Sequence, residues 1–146
     1  MISVINIRGA TEGDRIIYLK SNVDNFLREK EIYDVPNDVL LKEKRKYEVE
    51  FANRLKDIFV ITCDGELCGT FTVYKYEDGH VLDRIALVSE FDNEDIKSFV
   101  IKYVKAENKD ILYAIIPHGD IDIYKENGFS IVGKNETLYK LKIINN

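Results

Sequence analysis

The sequence predicts an α+β fold, in which a mixed sheet of about seven strands is flanked by about four helices. Apolar residues alternate in several short segments and recur at helical spacing in others, which separates strands from helices. Two Asp-Gly pairs divide strand-like segments, as in β-hairpins. The predicted order is β-α-α-β-β-β-α-β-α-β-β, and such a mixture of antiparallel strands and interleaved helices is typical of α+β domains.

Length and composition limit the classes of function that the chain can have. The 146 residues predict one domain over 1–146, which is large enough to fold without disulfides or metals. A net charge of −5 disfavours nucleic acid as a partner, because binding to phosphate backbones rests on basic patches. No apolar run approaches the roughly 18 residues of a membrane helix, and no signal peptide is visible. We therefore expect a cytoplasmic protein that binds neither membranes nor metals.

The first part of the chain predicts one strand and two helices. A β-rich segment over residues 2–8 predicts the first strand. Thr11 and Asp14 offer N-caps for a helix that continues to about residue 28. A Pro-Asn-Asp breaker precedes a long amphipathic helix that ends near residue 56.

The middle of the chain predicts an antiparallel meander, because the pattern changes to short β-branched and aromatic runs. Its three strands cover residues 58–63, 67–76 and 80–88. Asp64-Gly65 and Asp78-Gly79 predict the two connecting turns, since Asp and Gly tolerate the positive φ that tight hairpins need.

Helical spacing returns after the meander, with Asp92 or Asn93 as the N-cap. The remaining predicted elements are a buried strand, a short helix stopped by Asn-Gly, and two final strands, at 110–116, 119–127, 130–133 and 137–144.

Three segments of this pattern resemble a known family. They are the opening strand and helix cap in INIRGATEGD (5–14), the hairpin FVITCDGELCGTF (59–71), and the late helix and strand beginning IYKENGF (123–129). Together with the element order, they resemble the GNAT family, the Gcn5-related N-acetyltransferases, over nearly the whole chain. The resemblance implies acyl transfer from acetyl-coenzyme A to the amine of a small molecule or peptide.

The resemblance also implies roles for individual residues. Tyr124 occupies the position of the tyrosine that protonates the leaving thiolate. Backbone N–H groups around Leu87 and Val88 would stabilise the oxyanion. Asp83 and Glu90 are candidates for the base that deprotonates the amine. The structural alternatives are that Tyr124 packs its helix onto the sheet and that Asp83 is a solvated edge charge. Alternation of the strand predicts that Asp83 lies in an otherwise apolar row.

One family motif is missing. The basic, glycine-containing loop that holds the pyrophosphate of the coenzyme should follow the third meander strand, but residues 88–99 contain no glycine. Asp92, Glu94 and Asp95 place acidic charge there, and Lys97 offers a compensating cation. Either the coenzyme binds without this loop, or the chain is a non-catalytic binding or regulatory module on the same fold, and a homodimer is left open.

Overall fold

The computed structural model describes residues 4–30 and 35–144, without the side chains of Lys30 and His118. Within these residues the chain forms seven strands and four helices, which confirms the predicted α+β class. In chain order they are β1 (Ile5–Gly9), α1 (Arg15–Lys30), α2 (Asn37–Arg54), β2 (Ile58–Cys63), β3 (Glu66–Tyr76), β4 (Gly79–Leu87), α3 (Glu94–Glu107), β5 (Ile111–Pro117), α4 (Ile121–Glu126), β6 (Ser130–Lys134) and β7 (Leu138–Ile144).

The strands form a mixed sheet in the order β1-β2-β3-β4-β5-β7-β6. β4 and β5 pair in parallel, whereas β1 with β2, β5 with β7 and β6 with β7 are antiparallel. The β4–β5 pair is joined through α3, because parallel neighbours need a crossover connection.

Contacts between residues divide the chain into two compact units. The first contains the chain up to Phe71 together with Ala86–Asp92, and the second contains Thr72–Ile85 together with the chain from Asn93 onward. In the first unit, a core between α1, α2 and β2 contains the buried side chains of Tyr18, Tyr47, Phe51 and Ile58. In the second unit, the buried apolar residues include Val100, Ile101, Leu112, Ala114 and Leu141.

The ends of the predicted helices and strands shift by a few residues. The strand predicted over 2–8 is observed over Ile5–Gly9, and residues 2 and 3 lie outside the described residues. α2 ends at Arg54 and continues into a 3₁₀ turn over Leu55–Asp57. Among the described residues, no helix is long and apolar enough to cross a membrane.

The first hairpin turn is as predicted. Asp64 and Gly65 form it with φ values of 52° and 84°, so both residues adopt the left-handed conformation of a two-residue hairpin turn.

The second turn differs from the prediction by one residue. Glu77 and Asp78 form it, and Gly79 is already the first residue of β4. A Cβ atom at Gly79 would lie 2.0 Å from the carbonyl oxygen of Ile111. Glycine is therefore needed for the close approach of β5, a contact distant in sequence that the turn pattern did not reveal.

Both turn carboxylates are held by groups from other strands. Lys140 of β7 contacts Glu77 at 2.6 Å, and the hydroxyl of Tyr113 donates to Asp78 at 2.7 Å. The ammonium of Lys140 also lies 5.0 Å from the ring centroids of Tyr76 and Tyr113. These contacts offset the unfavourable φ of 49° at Glu77.

The junction between β1 and α1 depends on Asp14, one of the two predicted N-caps. Thr11 is the observed N-cap, and Asp14 is the third residue after it, which completes a capping box. The buried Asp14 carboxylate accepts hydrogen bonds from two Arg8 nitrogens at 2.8 and 2.9 Å and from the Thr11 N–H at 2.8 Å. The bonds from Arg8 outweigh desolvation and lower the pKa of Asp14 to about 2. The charged carboxylate is therefore the form that stabilises this junction.

The lowered pKa predicts a pH-dependent contribution to stability. The contribution is present above the ordinary Asp pKa of 3.8 and is lost as the pH falls towards 2, because the unfolded chain binds the proton first. We expect Asp14→Asn to lower the free energy of unfolding by about 2 kcal/mol at pH 7 and to flatten its dependence on pH below 4. Urea unfolding between pH 2 and 7 measures both effects. Asp38→Asn, at an exposed position in the first turn of α2, is the control, and equal losses in the two variants would contradict the prediction.

Candidate active site

Tyr124 lies in α4, and the end of this helix fixes its position. Gly128 adopts φ 95°, and its N–H donates to the carbonyl of Lys125 at 3.0 Å. The Phe129 N–H donates to the carbonyl of Tyr124 at 3.1 Å. This pair of hydrogen bonds is a Schellman motif, in which a left-handed glycine closes the helix.

The side chains complete the same motif. The rings of Tyr124 and Phe129 pack edge to face, with centroids 5.4 Å apart, and both residues are buried. A contact between these two positions usually accompanies a Schellman motif. The structural role considered for Tyr124 is therefore real, and it involves the ring and the backbone carbonyl but not the hydroxyl.

The surroundings of Tyr124 keep its hydroxyl protonated. Burial raises the pKa of Tyr124 well above its usual value, and the negative charges of Asp120 and Asp83 raise it further. Among the described residues, the Tyr124 hydroxyl has no hydrogen-bond partner. The site thus contains a buried phenol that keeps its proton at neutral pH.

Asp83 lies where the pairing of β4 with β5 ends. The ladder runs from His80 opposite Leu112 to Asp83 opposite Ile115, while β5 continues to Pro117. The hydroxyl of Tyr74 donates to the Asp83 carboxylate at 3.3 Å.

Arg84, the next residue, has a φ of 60°, an uncommon conformation inside a strand. The predicted alternation of side chains through β4 is therefore wrong beyond Asp83, because a left-handed residue interrupts it. Val81, Ile85 and Leu87, which were predicted to share a row with Asp83, are buried, but so are Leu82 and Ala86.

Lys97 of α3 is already paired with a carboxylate in the turn before α4. Its ammonium contacts the Asp120 carboxylate at 3.4 Å, and only 15% of its side chain is exposed. Asp120 was not among the predicted site residues, although an aspartate just before a helix is a common N-cap signal.

Leu87 and Val88 lie at the end of β4. The Val88 N–H donates to the Cys68 carbonyl of β3 at 2.9 Å, so it is occupied by the sheet. The Leu87 carbonyl instead accepts a hydrogen bond from Arg28 at 2.6 Å. Because neighbouring N–H groups of a strand point to opposite sides, the Leu87 N–H points away from β3.

Glu90 and Asp92 lie in the loop after β4, and both contact cations of α1. Glu90 lies 3.8 Å from Lys20 and leaves 66% of its side chain exposed. Asp92 lies 3.4 Å from Arg28. The acidic charge that the sequence places in this loop is therefore partly neutralised within the first unit.

The first turn of α3 is closed by its own residues. Asn93, one of the two predicted caps, accepts a hydrogen bond from the Asp95 N–H at 2.7 Å. Glu94 and Asp95 add negative charge where the helix dipole favours it.

The predicted residues therefore fall into two groups. The second unit contains Tyr124, Asp83 and Lys97. Its Asp120 forms an ion pair with Lys97 and raises the pKa of Tyr124. Leu87, Val88 and Glu90 belong to the first unit. Tyr74, Asp120 and Arg28 are contacts that the sequence analysis missed. The spacing of four between Lys20, Asp24 and Arg28 is a signal that could have revealed their shared helix face.

The Schellman motif predicts the effect of one substitution. Gly128→Ala forces an alanine into a φ of 95° and places its Cβ 3.0 Å from the Cδ1 of Ile143. We expect a loss of about 1–2 kcal/mol in the free energy of unfolding, measured by urea denaturation. Gly119→Ala is the matched control, because its Cβ would meet no atom within 4 Å. A loss at Gly128 no larger than that at Gly119 would argue against this account of the helix end.

No protein-family model and no curated protein matches the sequence. Solved structures do match it. The PaiA N-acetyltransferase of Thermoplasma acidophilum, in complex with coenzyme A, has a TM-score of 0.71 at 16% identity, covering 97% of this chain and 99% of that one. A GNAT-family acetyltransferase of Listeria monocytogenes has a TM-score of 0.66 at 17% identity, covering 96% and 94%. An N-acetyltransferase of Staphylococcus aureus has a TM-score of 0.69 at 15% identity, covering 94% and 100%. Likeness at these identities concerns the fold, and the chain therefore has the fold of the GNAT acetyltransferases, as its element order predicted.

Proposed function

We propose that the chain is an acetyl-coenzyme A-dependent N-acetyltransferase that acts on the amine of a small molecule or peptide. The observation that carries this proposal is the buried Tyr124 phenol, whose pKa is raised by burial and by the charges of Asp120 and Asp83. The fold supports the proposal, because the similar structures are named as acetyltransferases and one of them contains coenzyme A.

The reaction needs one proton acceptor and one proton donor. The amine nitrogen attacks the thioester carbonyl, so that a C–N bond forms and the C–S bond breaks. The proton lost by the amine goes to a carboxylate, and the thiolate takes a proton from Tyr124. The products are an amide and a free thiol, and no oxidant or metal is required.

Tyr124 is suited to the donor role. Its raised pKa ensures that the hydroxyl carries a proton at neutral pH. The same raised pKa makes it a weak acid, so the proton moves to the thiolate only because the thiolate, in the same buried surroundings, is destabilised as well.

Asp83 is the carboxylate that we assign as the proton acceptor. The Tyr74 hydroxyl orients it, and its charge acts on Tyr124 in the same unit. Glu90 is the second candidate from the sequence, but it is mostly exposed and lies next to Lys20, so its carboxylate is better solvated.

For the thioester oxygen, we assign the Leu87 N–H as the hydrogen-bond donor. The Val88 N–H is used by Cys68, whereas the Leu87 N–H points to the other side of the strand. A fixed backbone N–H stabilises the negative charge that develops on a carbonyl oxygen during attack.

The diphosphate end of the coenzyme fits these residues less well than the thioester end. The Asp95 N–H at the start of α3 is occupied by Asn93, and Lys97 is paired with Asp120. We therefore assign no phosphate contact to the α3 terminus and expect the affinity to come mainly from the rest of the ligand.

Calorimetry with coenzyme A tests the proposal directly. Saturation at one hundred times the dissociation constant should stabilise the fold by about 2.7 kcal/mol in thermal unfolding. Adenosine 3′,5′-bisphosphate, which lacks the thiol arm, is the control ligand and should stabilise less. Absence of binding at millimolar coenzyme A would favour the non-catalytic module instead.

Tyr124→Phe tests the proton donor. Loss of a general acid should lower kcat by about a hundredfold or more, because proton donation contributes at least that factor. The affinity for coenzyme A should hardly change, since the ring and its packing against Phe129 remain. Thiol release from acetyl-coenzyme A with a panel of primary amines measures the rate.

Tyr103→Phe in α3 is the matched control, and its rate should equal that of the unaltered chain. A Tyr124→Phe variant with full turnover would remove Tyr124 from the reaction.

A further inference from the structure

Three charged residues of α1 follow one another at intervals of four. Lys20, Asp24 and Arg28 therefore share one face of the helix. All three contact the segment 87–92, which contains the end of β4 and the loop after it.

Arg28 makes the largest number of these contacts. Its Nη2 donates to the Leu87 carbonyl at 2.6 Å, and its Nη1 donates to the Ser89 hydroxyl at 3.4 Å. Its Nε lies 3.4 Å from the Asp92 carboxylate. All three guanidinium nitrogens are thus directed at one short segment, an arrangement that the single ammonium of a lysine does not reproduce.

Asp24 and Lys20 contact the same segment at Ser89 and Glu90. The Asp24 carboxylate accepts a hydrogen bond from the Ser89 N–H at 2.9 Å. Lys20 contacts Asp24 at 3.0 Å and Glu90 at 3.8 Å. The pairing with Asp24 and Glu90 raises the pKa of Lys20, so its ammonium stays charged.

The contacts on Leu87 have a specific geometric effect. The peptide group between Leu87 and Val88 is held at both ends, its oxygen by Arg28 and its N–H by the Cys68 carbonyl. A peptide group held on both sides cannot rotate without losing one of these bonds. The Leu87 N–H lies on the same side of the strand as the carbonyl that Arg28 holds.

We propose that Arg28 is a positioning residue, which holds the Leu87 backbone so that its N–H is aimed at the oxygen of the bound thioester. This inference rests on the proposed function, because it concerns the donor assigned there. Arg28 itself touches no reacting atom, and Asp24 and Lys20 support it by fixing Ser89 and Glu90.

Two variants and one control test the proposal. Arg28→Met removes the guanidinium but keeps most of the aliphatic stem. Arg28→Lys keeps the charge but loses the fork, and it serves if the first variant fails to fold. Arg15→Met is the matched control, because Arg15 belongs to the same helix and pairs with Glu48 of α2.

Hydrogen–deuterium exchange of the ligand-free chain is the first measurement. Loss of a hydrogen bond to a charged donor should speed exchange over residues 87–92 by roughly tenfold in Arg28→Met. The Arg15→Met variant should exchange at the original rate in this segment. Equal rates in all variants would overturn the proposal.

The carbonyl stretch of bound acetyl-coenzyme A, labelled with ¹³C at the acetyl carbonyl, is the second measurement. In the unaltered chain the stretch should lie at lower frequency than in Arg28→Met, because an aimed N–H weakens the C=O bond. Arg28→Lys should fall between them, and Arg15→Met should match the unaltered chain.

The outcomes separate the two ideas. If the unaltered chain does not bind acetyl-coenzyme A in calorimetry, the proposed function is overturned. If it binds and the carbonyl stretch is the same in Arg28→Met, the proposed function stands and the role of Arg28 is overturned.

Discussion

The end of the β4–β5 ladder is the constraint on which the candidate site depends. Pairing stops at Asp83 and Ile115, and the next residue of β4, Arg84, takes a left-handed conformation that ordinary strand geometry does not allow. A strand that leaves its neighbour exposes backbone groups and side chains that a continuous ladder would have covered. Asp83 stands at this boundary, where the Tyr74 hydroxyl donates to its carboxylate and its charge raises the pKa of Tyr124.

Tyr124 shows that the residues of a helix end can leave a polar atom outside their packing contacts. The helix end uses its carbonyl, through the Phe129 N–H, and its ring, through the edge-to-face contact with Phe129. Neither contact involves the phenol oxygen. The local sequence of a tyrosine followed four and five residues later by glycine and phenylalanine is therefore sufficiently explained by helix termination. The role proposed for its hydroxyl therefore needs separate support, namely burial and the charges of Asp120 and Asp83.

The fold was predictable where the physical cause is local. Periodicity identified the helices and strands, and Thr11 was recognised as an N-cap because its capping-box partner Asp14 lies only three residues away. Prediction failed where the cause is distant in sequence. Gly79 was assigned to a turn, but it is required by the backbone of Ile111. The left-handed conformation of Arg84 and the hydrogen bond from Arg28 to the Leu87 carbonyl depend on how helices and strands pack, which periodicity does not encode.

Charge in the loop after β4 illustrates the same limit for function. In the sequence alone, the negative charges of Asp92 and Glu90 are expected to repel an anionic ligand from this loop. In the folded chain each lies beside a cation from α1, and the pair of Asp92 and Arg28 leaves much less negative field than the sequence suggests. The same Arg28 side chain also donates to the Leu87 carbonyl. It therefore neutralises charge in the loop and holds the end of β4 at the same time. A count of acidic residues near a site therefore says little until the partner of each carboxylate is known.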